Sequence, residues 1–209
     1  RKAALRRQLA ARAAERVGCP VVYVNQVGGN DELVFDGASF VMGDSCSTPL
    51  LQLPDCREAT QIWNAADTSQ MVSAVSTATP QILDEQHEME ALFRTLVTGL
   101  KDYAGKCGFQ RALLGLSGGI DSALVAVIAA AALGSDQVQT LLMPSPWSSQ
   151  GSISDALQLA NRLGIAHSIV PIDNLMNGFQ ATLTPALSSA PSGVTAENLQ
   201  SRIRGTLLM

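Results

Sequence analysis

Residues Ser117-Gly118-Gly119-Ile120-Asp121-Ser122 bring together, in six positions, the groups needed to hold an anion and its counter-cation. Two adjacent glycines let the backbone turn with several N–H groups pointing inward, and they present no Cβ to keep an anion away. Ser117 and Ser122 add hydroxyl donors. Asp121 is the odd member, because a bare carboxylate repels phosphate oxygens. Its natural role beside them is to hold Mg²⁺, which accepts carboxylate and phosphate oxygens together. The competing reading of the same residues is an ordinary strand-to-helix turn capped by Asp121 or Ser122. Two serines, two glycines and an aspartate in this order behind an apolar strand weigh against it. The loop is not of the Walker type, since no Gly-Lys-Ser/Thr is present.

Two further polar stretches could add to such a site. Ser148, Ser149 and Ser152, with Asp155 close behind, read either as a second polar loop or as a flexible loop ending in a helix cap. In Glu197-Asn198-Leu199-Gln200-Ser201-Arg202-Ile203-Arg204-Gly205 the two arginines, taken alone, read as a solvated helix face, and Asn198 as a helix residue without a partner. Cys19, Cys46, Cys56 and Cys107 form no Cys-x-x-Cys pair and no metal-ligand spacing, and neither His87 nor His167 is near one of them in sequence. They are expected to be reduced thiols in a cytoplasmic protein.

The elements that must position these residues alternate. Residues 112–116 form a short apolar strand, 121–133 a helix, 138–143 a second strand and 152–163 a second helix closed by Gly164. A third strand is expected within 165–172. Alternation of this kind predicts an α/β fold, a doubly wound parallel sheet that binds ligands at the carboxyl ends of its strands. Ahead of it, residues 1–16 read as a helix with a solvated basic face. Residues 21–24 form a buried strand, 25–30 a Gly-rich turn, 33–41 a strand pair, and 50–53 a strand within a turn-rich stretch. From 56 to 80 the periodicity is lost among Ser, Thr and Ala. Asp84 then opens a helix carrying Met89, Leu92, Phe93, Leu96, Leu100 and Tyr103 along one side as far as Lys106. The expected organisation is therefore a segment over 1–56, a linker over 57–83 and the alternating domain over 84–209.

Bulk properties bound the function. A chain of 209 residues that is 46% hydrophobic and 15% charged can bury a core without staples. A net charge of −4 argues against a general nucleic-acid binder, which carries a basic face, yet permits a local phosphate site. The longest apolar run, 123–133, is shorter than the roughly 20 residues a membrane span needs, so no membrane partner is expected.

The loop Ser117–Ser122 resembles the pyrophosphate loop of the N-type ATP pyrophosphatases, the adenine nucleotide alpha hydrolase-like enzymes. Members of that group split ATP between its α and β phosphates and adenylate a carbonyl oxygen. Within the group the chain resembles the glutamine-dependent NAD synthetases. Leu142-Met143-Pro144-Ser145 with Ser148, Ser149, Ser152, Asp155 and Ala156 is similar to that family's second strand and loop. Ala160-x-x-Leu163-Gly164-Ile165 is similar to its next helix end, and Glu197 to Gly205 to its ENxQxRxRG helix beside the dinucleotide. Residues 20–29, 31–37 and Ser39 resemble the last third of the α/β nitrilase-like glutaminase domain, so 1–56 is expected to be the C-terminal part of such a domain.

What the resemblance implies can be stated residue by residue. Gly115, Leu116, Ser117, Gly118, Gly119, Ile120, Asp121 and Ser122 bind ATP, Asp121 also holds Mg²⁺, and Asn198 and Arg202 contact deamido-NAD. The reaction joins deamido-NAD with ammonia drawn from glutamine, releasing AMP and pyrophosphate, in a homo-oligomer. The glutaminase triad is expected ahead of Arg1 and further ATP and Mg²⁺ ligands beyond Met209. The chain is thus read as a fragment, inactive by itself, and Cys19 as a packed thiol rather than a nucleophile. The alternatives are another amidotransferase of the ATP pyrophosphatase group and a non-catalytic adenine-nucleotide-binding module.

Overall fold

A computed structural model describes residues 2–44, 48–65, 85–187 and 192–209. The chain forms two compact units, Arg1–Tyr103 and Ala104–Met209. Much of the stretch expected as a linker, and Asp84 at the expected helix start, lie outside the described residues, as does Cys46.

The first unit opens with α1 (Lys2–Val17), which packs on a three-stranded antiparallel sheet in the order β1 (Val21–Tyr23), β4 (Phe40–Met42), β5 (Pro49–Gln52). Ala10 on the helix meets Phe40 and Met42 on the central strand, with Val21 and Tyr23 against them. The expected solvated basic face of α1 is in part committed. Arg6 forms a fork onto both oxygens of Asp36, at 2.9 and 2.6 Å, beneath the Tyr23 ring. The guanidinium holds the Asp36 carboxyl below the usual carboxylate range.

The Gly-rich segment expected as a turn is instead a strand. β2 (Val27–Asn30) pairs antiparallel with β3 (Leu33–Asp36), and Asp31 turns the chain with φ 52°. Helix α2 (Glu85–Cys107) supplies the reason: Asp102 accepts a 2.8 Å hydrogen bond from the Gly29 N–H, and a Cβ on Gly28 would collide with the same carboxylate. Arg94 of α2 also reaches Asp55 at 3.2 Å.

The second unit is the expected α/β layer structure. Strands β6 (Ala112–Gly115), β7 (Val138–Leu142) and β8 (Ala166–Ile169) lie side by side in that order, all parallel. Helix α3 (Ile120–Leu133) and a short 3-10 turn link the first two strands, and α4 (Gln150–Leu163) links the next two. Helices α5 (Asp173–Leu187) and α6 (Val194–Leu208) follow.

Strand β7 has its neighbours on both edges and its side chains alternate. Val138, Thr140 and Leu142 are buried on the face that α3 and α4 cover. Leu141 points the other way and, with Met143 just beyond the strand, packs among Ile172, Met176 and Ile203, in the layer of α5 and α6. The sheet therefore carries helices on both faces, and the strand ends at 115 and 142 open onto the same edge.

Candidate functional site

The loop leaving β6 is fixed by its own side chains. Ser117 Oγ and Ser122 Oγ stand 2.9 Å apart. The Ser117 N–H donates to Ser122 Oγ at 3.2 Å and the Gly119 N–H to Ser117 Oγ at 3.2 Å, while the Ser122 hydroxyl donates to the Gly119 carbonyl at 3.0 Å. With the Ser122 proton used in that way, the proton between the two hydroxyls comes from Ser117. Both serines thus hold the loop shape before any ligand arrives. Gly119 is the residue before α3, with no side-chain cap on the helix start, so the first N–H groups of the helix remain available.

Gly118 is the tightest point. Its φ is 81°, in the region that side-chain-bearing residues avoid, and an added Cβ would lie 2.8 Å from both Cα and C of Ser152 and closer still to its carbonyl oxygen. The glycine thus serves two ends: it turns the loop, and it lets the first turn of α4 press against it. That turn is capped by Ser149, whose Oγ accepts from the Ser152 N–H at 3.1 Å and contacts Ser152 Oγ at 2.9 Å. The serine cluster read as a loop or a cap is therefore both. Ser148 braces the preceding turn by accepting from the Ser145 N–H at 2.9 Å.

Between these loops and the strand ends lies a cavity of about 290 Å³. Gly115, Leu116 and Ser117 form one wall, Leu142 and Met143 the floor, Ser148 and Ser152 another wall, and Arg204 of α6 closes the remaining side. Gly115 allows this closure, since a Cβ there would meet the Met143 methyl at 3.1 Å and Leu208 at 3.4 Å. Arg204 donates from Nε to the Met143 carbonyl at 3.1 Å, and burial lowers its pKa from the ordinary value.

Of the residues singled out in the sequence, Gly115, Leu116 and Ser117 line the cavity, and Gly118, Gly119, Ile120 and Ser122 continue the loop without lining it. Asp121 stands exposed in the first turn of α3, and its carboxylate takes no hydrogen bond or ion pair from the described residues. Asn198 and Arg202 occupy one exposed stripe of α6, four residues apart, with Arg202 Nη1 3.5 Å from the Asn198 carbonyl; neither lines the cavity. Arg204, which the sequence reading left as a possible solvated face, does line it. Helical phase carries a signal for this. Leu199, Ile203 and Leu207 mark the inward stripe of α6, and Arg204 borders that stripe on the side where Leu208 also packs. Among the described residues no group of three His, Cys, Asp or Glu side chains is placed to hold a metal ion.

Residues 92–209 match the family model described as NAD synthase. The chain is 44% identical over 98% of its length to a glutamine-dependent NAD(+) synthetase of Synechocystis sp.. It is 42% identical, again over 98%, to one from Rhodobacter capsulatus. It covers 36% of either relative, so it spans about a third of their length. Among solved structures, the glutamine-dependent NAD+ synthetase from Acinetobacter baumannii in complex with ADP superposes with a TM-score of 0.85. That likeness has 39% identity and covers 98% of this chain and 38% of that one. With more than half of its residues under the family model, and with a glycine loop, capped serine turn and strand-end cavity in the matching region, the chain belongs to the NAD synthase family.

Proposed function

We propose that the chain forms the front of the ATP site of a glutamine-dependent NAD synthetase. In this reading residues 1–56 are the last part of a nitrilase-like glutaminase domain, 57–83 a linker, and 84–209 the first part of the synthetase domain. Gly118 is the observation that carries it: a positive-φ glycine pressed against the start of a second helix, between a serine-locked loop and an uncapped helix start, is the shape a diphosphate fits.

The chemistry then follows from the residues in place. Deamido-NAD presents a carboxylate, whose oxygen attacks the α-phosphorus of ATP while the bond to the β-phosphate oxygen breaks. The backbone N–H groups of Gly118 and of the first turn of α3, in the loop shape that Ser117 and Ser122 hold, take up the charge that grows on the departing pyrophosphate. Ammonia from glutamine then attacks the acyl carbon, and AMP leaves with the oxygen. The Asp121 carboxylate, exposed and unengaged beside that loop, fits a hard cation shared with phosphate oxygens. Mg²⁺ held there would supply charge neutralisation. Asn198 and Arg202, which share an exposed stripe of α6, are the residues this reading assigns to deamido-NAD.

The reading extends to a cytoplasmic homo-oligomer. Cys19, Cys56 and Cys107 are free thiols, no helix among the described residues is long and apolar enough to cross a membrane, and Met89, Leu92, Leu96 and Tyr103 leave an exposed apolar stripe on α2.

The test is product formation. The full-length protein carrying this chain, given deamido-NAD, ATP, Mg²⁺ and glutamine, forms NAD and AMP in equal amounts. If AMP appears without NAD, a different acid is the substrate. If neither appears while ATP binds equally well with and without Mg²⁺, the site is a sensor.

A further inference from the structure

Among the described residues that line the cavity at the strand ends, Arg204 is the one that carries a formal charge. Its Nε is held by the Met143 carbonyl at 3.1 Å, and no carboxylate pairs with it among the described residues. Burial lowers its pKa from the ordinary value. A guanidinium cannot discharge in a protein. A cation drawn partly out of water beside Leu142, Met143 and Leu208 gains most from an anion that enters the same space.

Which anion follows from the loop. Residues 117–122 are shaped for the two phosphates that depart together, and the cavity begins where that loop begins, at Gly115, Leu116 and Ser117. What fills the cavity is then the rest of the nucleotide: a neutral nucleoside and its α-phosphate. Only the α-phosphate is charged. Resting on the nucleotide reading above, we propose that Arg204 is a nucleotide-contacting residue whose Nη groups bind the α-phosphate while the Met143 carbonyl fixes the side chain through Nε. The same contact persists after pyrophosphate leaves, because the α-phosphate stays in the acyl-adenylate. Arg204 would then hold that intermediate until ammonia attacks it.

The experiment compares ATP, AMP and adenosine binding by calorimetry in the full-length protein as wild type, Arg204→Gln and Arg204→Lys. Loss of a charge-assisted pair of hydrogen bonds weakens ATP and AMP about tenfold or more in Arg204→Gln. Adenosine, which lacks the phosphate, keeps its affinity. Arg204→Lys restores the charge without the fork and falls between the two. Equal weakening of adenosine and AMP would overturn the inference, because Arg204 would then only shape the cavity. Unchanged AMP binding would overturn it as well. Should Arg204→Gln fail to fold, Arg204→Lys decides by the same comparison of AMP with adenosine. Wild-type protein that binds none of the three removes the nucleotide reading itself, and the inference with it.

Discussion

Replacing Gly118 by alanine adds one methyl at a point where the structure leaves no room. Two costs combine. The backbone sits at φ 81°, where an L-residue with a side chain is disfavoured by roughly 1–2 kcal/mol. The new Cβ would also stand 2.8 Å from both Cα and C of Ser152, atoms of a helix backbone that cannot rotate aside. Forcing extra volume into a packed contact costs about 1–3 kcal/mol more. Gly119 is the internal control, with φ −84° and only the Ser117 hydroxyl, 3.3 Å away, in the path of a Cβ. The strain in Gly118→Ala is local, so a local observable is the right assay. Amide exchange over 116–122 and the first turn of α4 is measured in the full-length protein without nucleotide. A local loss of about 2 kcal/mol speeds exchange about 30-fold in Gly118→Ala. Gly119→Ala leaves those rates near wild type while weakening ATP binding, since its methyl sits where phosphate oxygens must approach. Equal exchange in Gly118→Ala and wild type would refute the steric reasoning, and full ATP affinity in Gly119→Ala would refute the placement of the phosphates.

Other consequences can be checked separately. Ser117→Ala and Ser122→Ala each break the same hydroxyl pair, so in a double-mutant cycle their effects on ATP affinity fall short of additivity by about 1 kcal/mol; strict additivity would mean that the pair does not set the loop. Ser149→Ala removes the cap that accepts from the Ser152 N–H and destabilises the first turn of α4 by about 1 kcal/mol, seen as faster exchange at 152–153 with no change in 160–163. The Asp36 carboxyl, held below the usual range by Arg6, contributes stability that is complete above its unfolded pKa of about 4 and is lost as pH falls through the lower folded value. The stability gap between wild type and Arg6→Ala is therefore widest near neutral pH and closes below about pH 4; a gap that stays constant from pH 7 to 2 would contradict the ion pair.

Local pattern carried much of this architecture. A short apolar run, a glycine pair and an alanine-rich run suffice to place a strand, a loop and a helix in order around Ser117, because each rests on residues adjacent in the chain. What escaped depends on distant partners. Val27–Asn30 reads as a turn on account of Gly28 and Gly29, yet it pairs as a strand because Asp102, far along the chain, accepts from the Gly29 N–H. Arg6 looks solvated until Asp36 is brought under it. Helix α5 carries Gly178 and Pro185, which both weaken a local helix signal, and Met176 in the core holds it. At the site, Arg202 and Arg204 are two positions apart and chemically equal. Only the phase of α6 against Met143 and Leu208 sends one outward and the other into the cavity.

Strand β7 spans only five residues, and its odd and even positions serve separate layers of the unit. That gives the sheet a parity. Sliding the strand by a single residue would turn Thr140, whose hydroxyl now donates to the Ala166 carbonyl, toward the opposite layer, and would carry Leu141 away from Ile203. The Met143 carbonyl would also lose its place beneath Arg204. An insertion engineered into this strand should therefore destroy the site even where the sheet survives, whereas one placed at Pro146 or Trp147, both exposed in the turn that follows, leaves the parity intact.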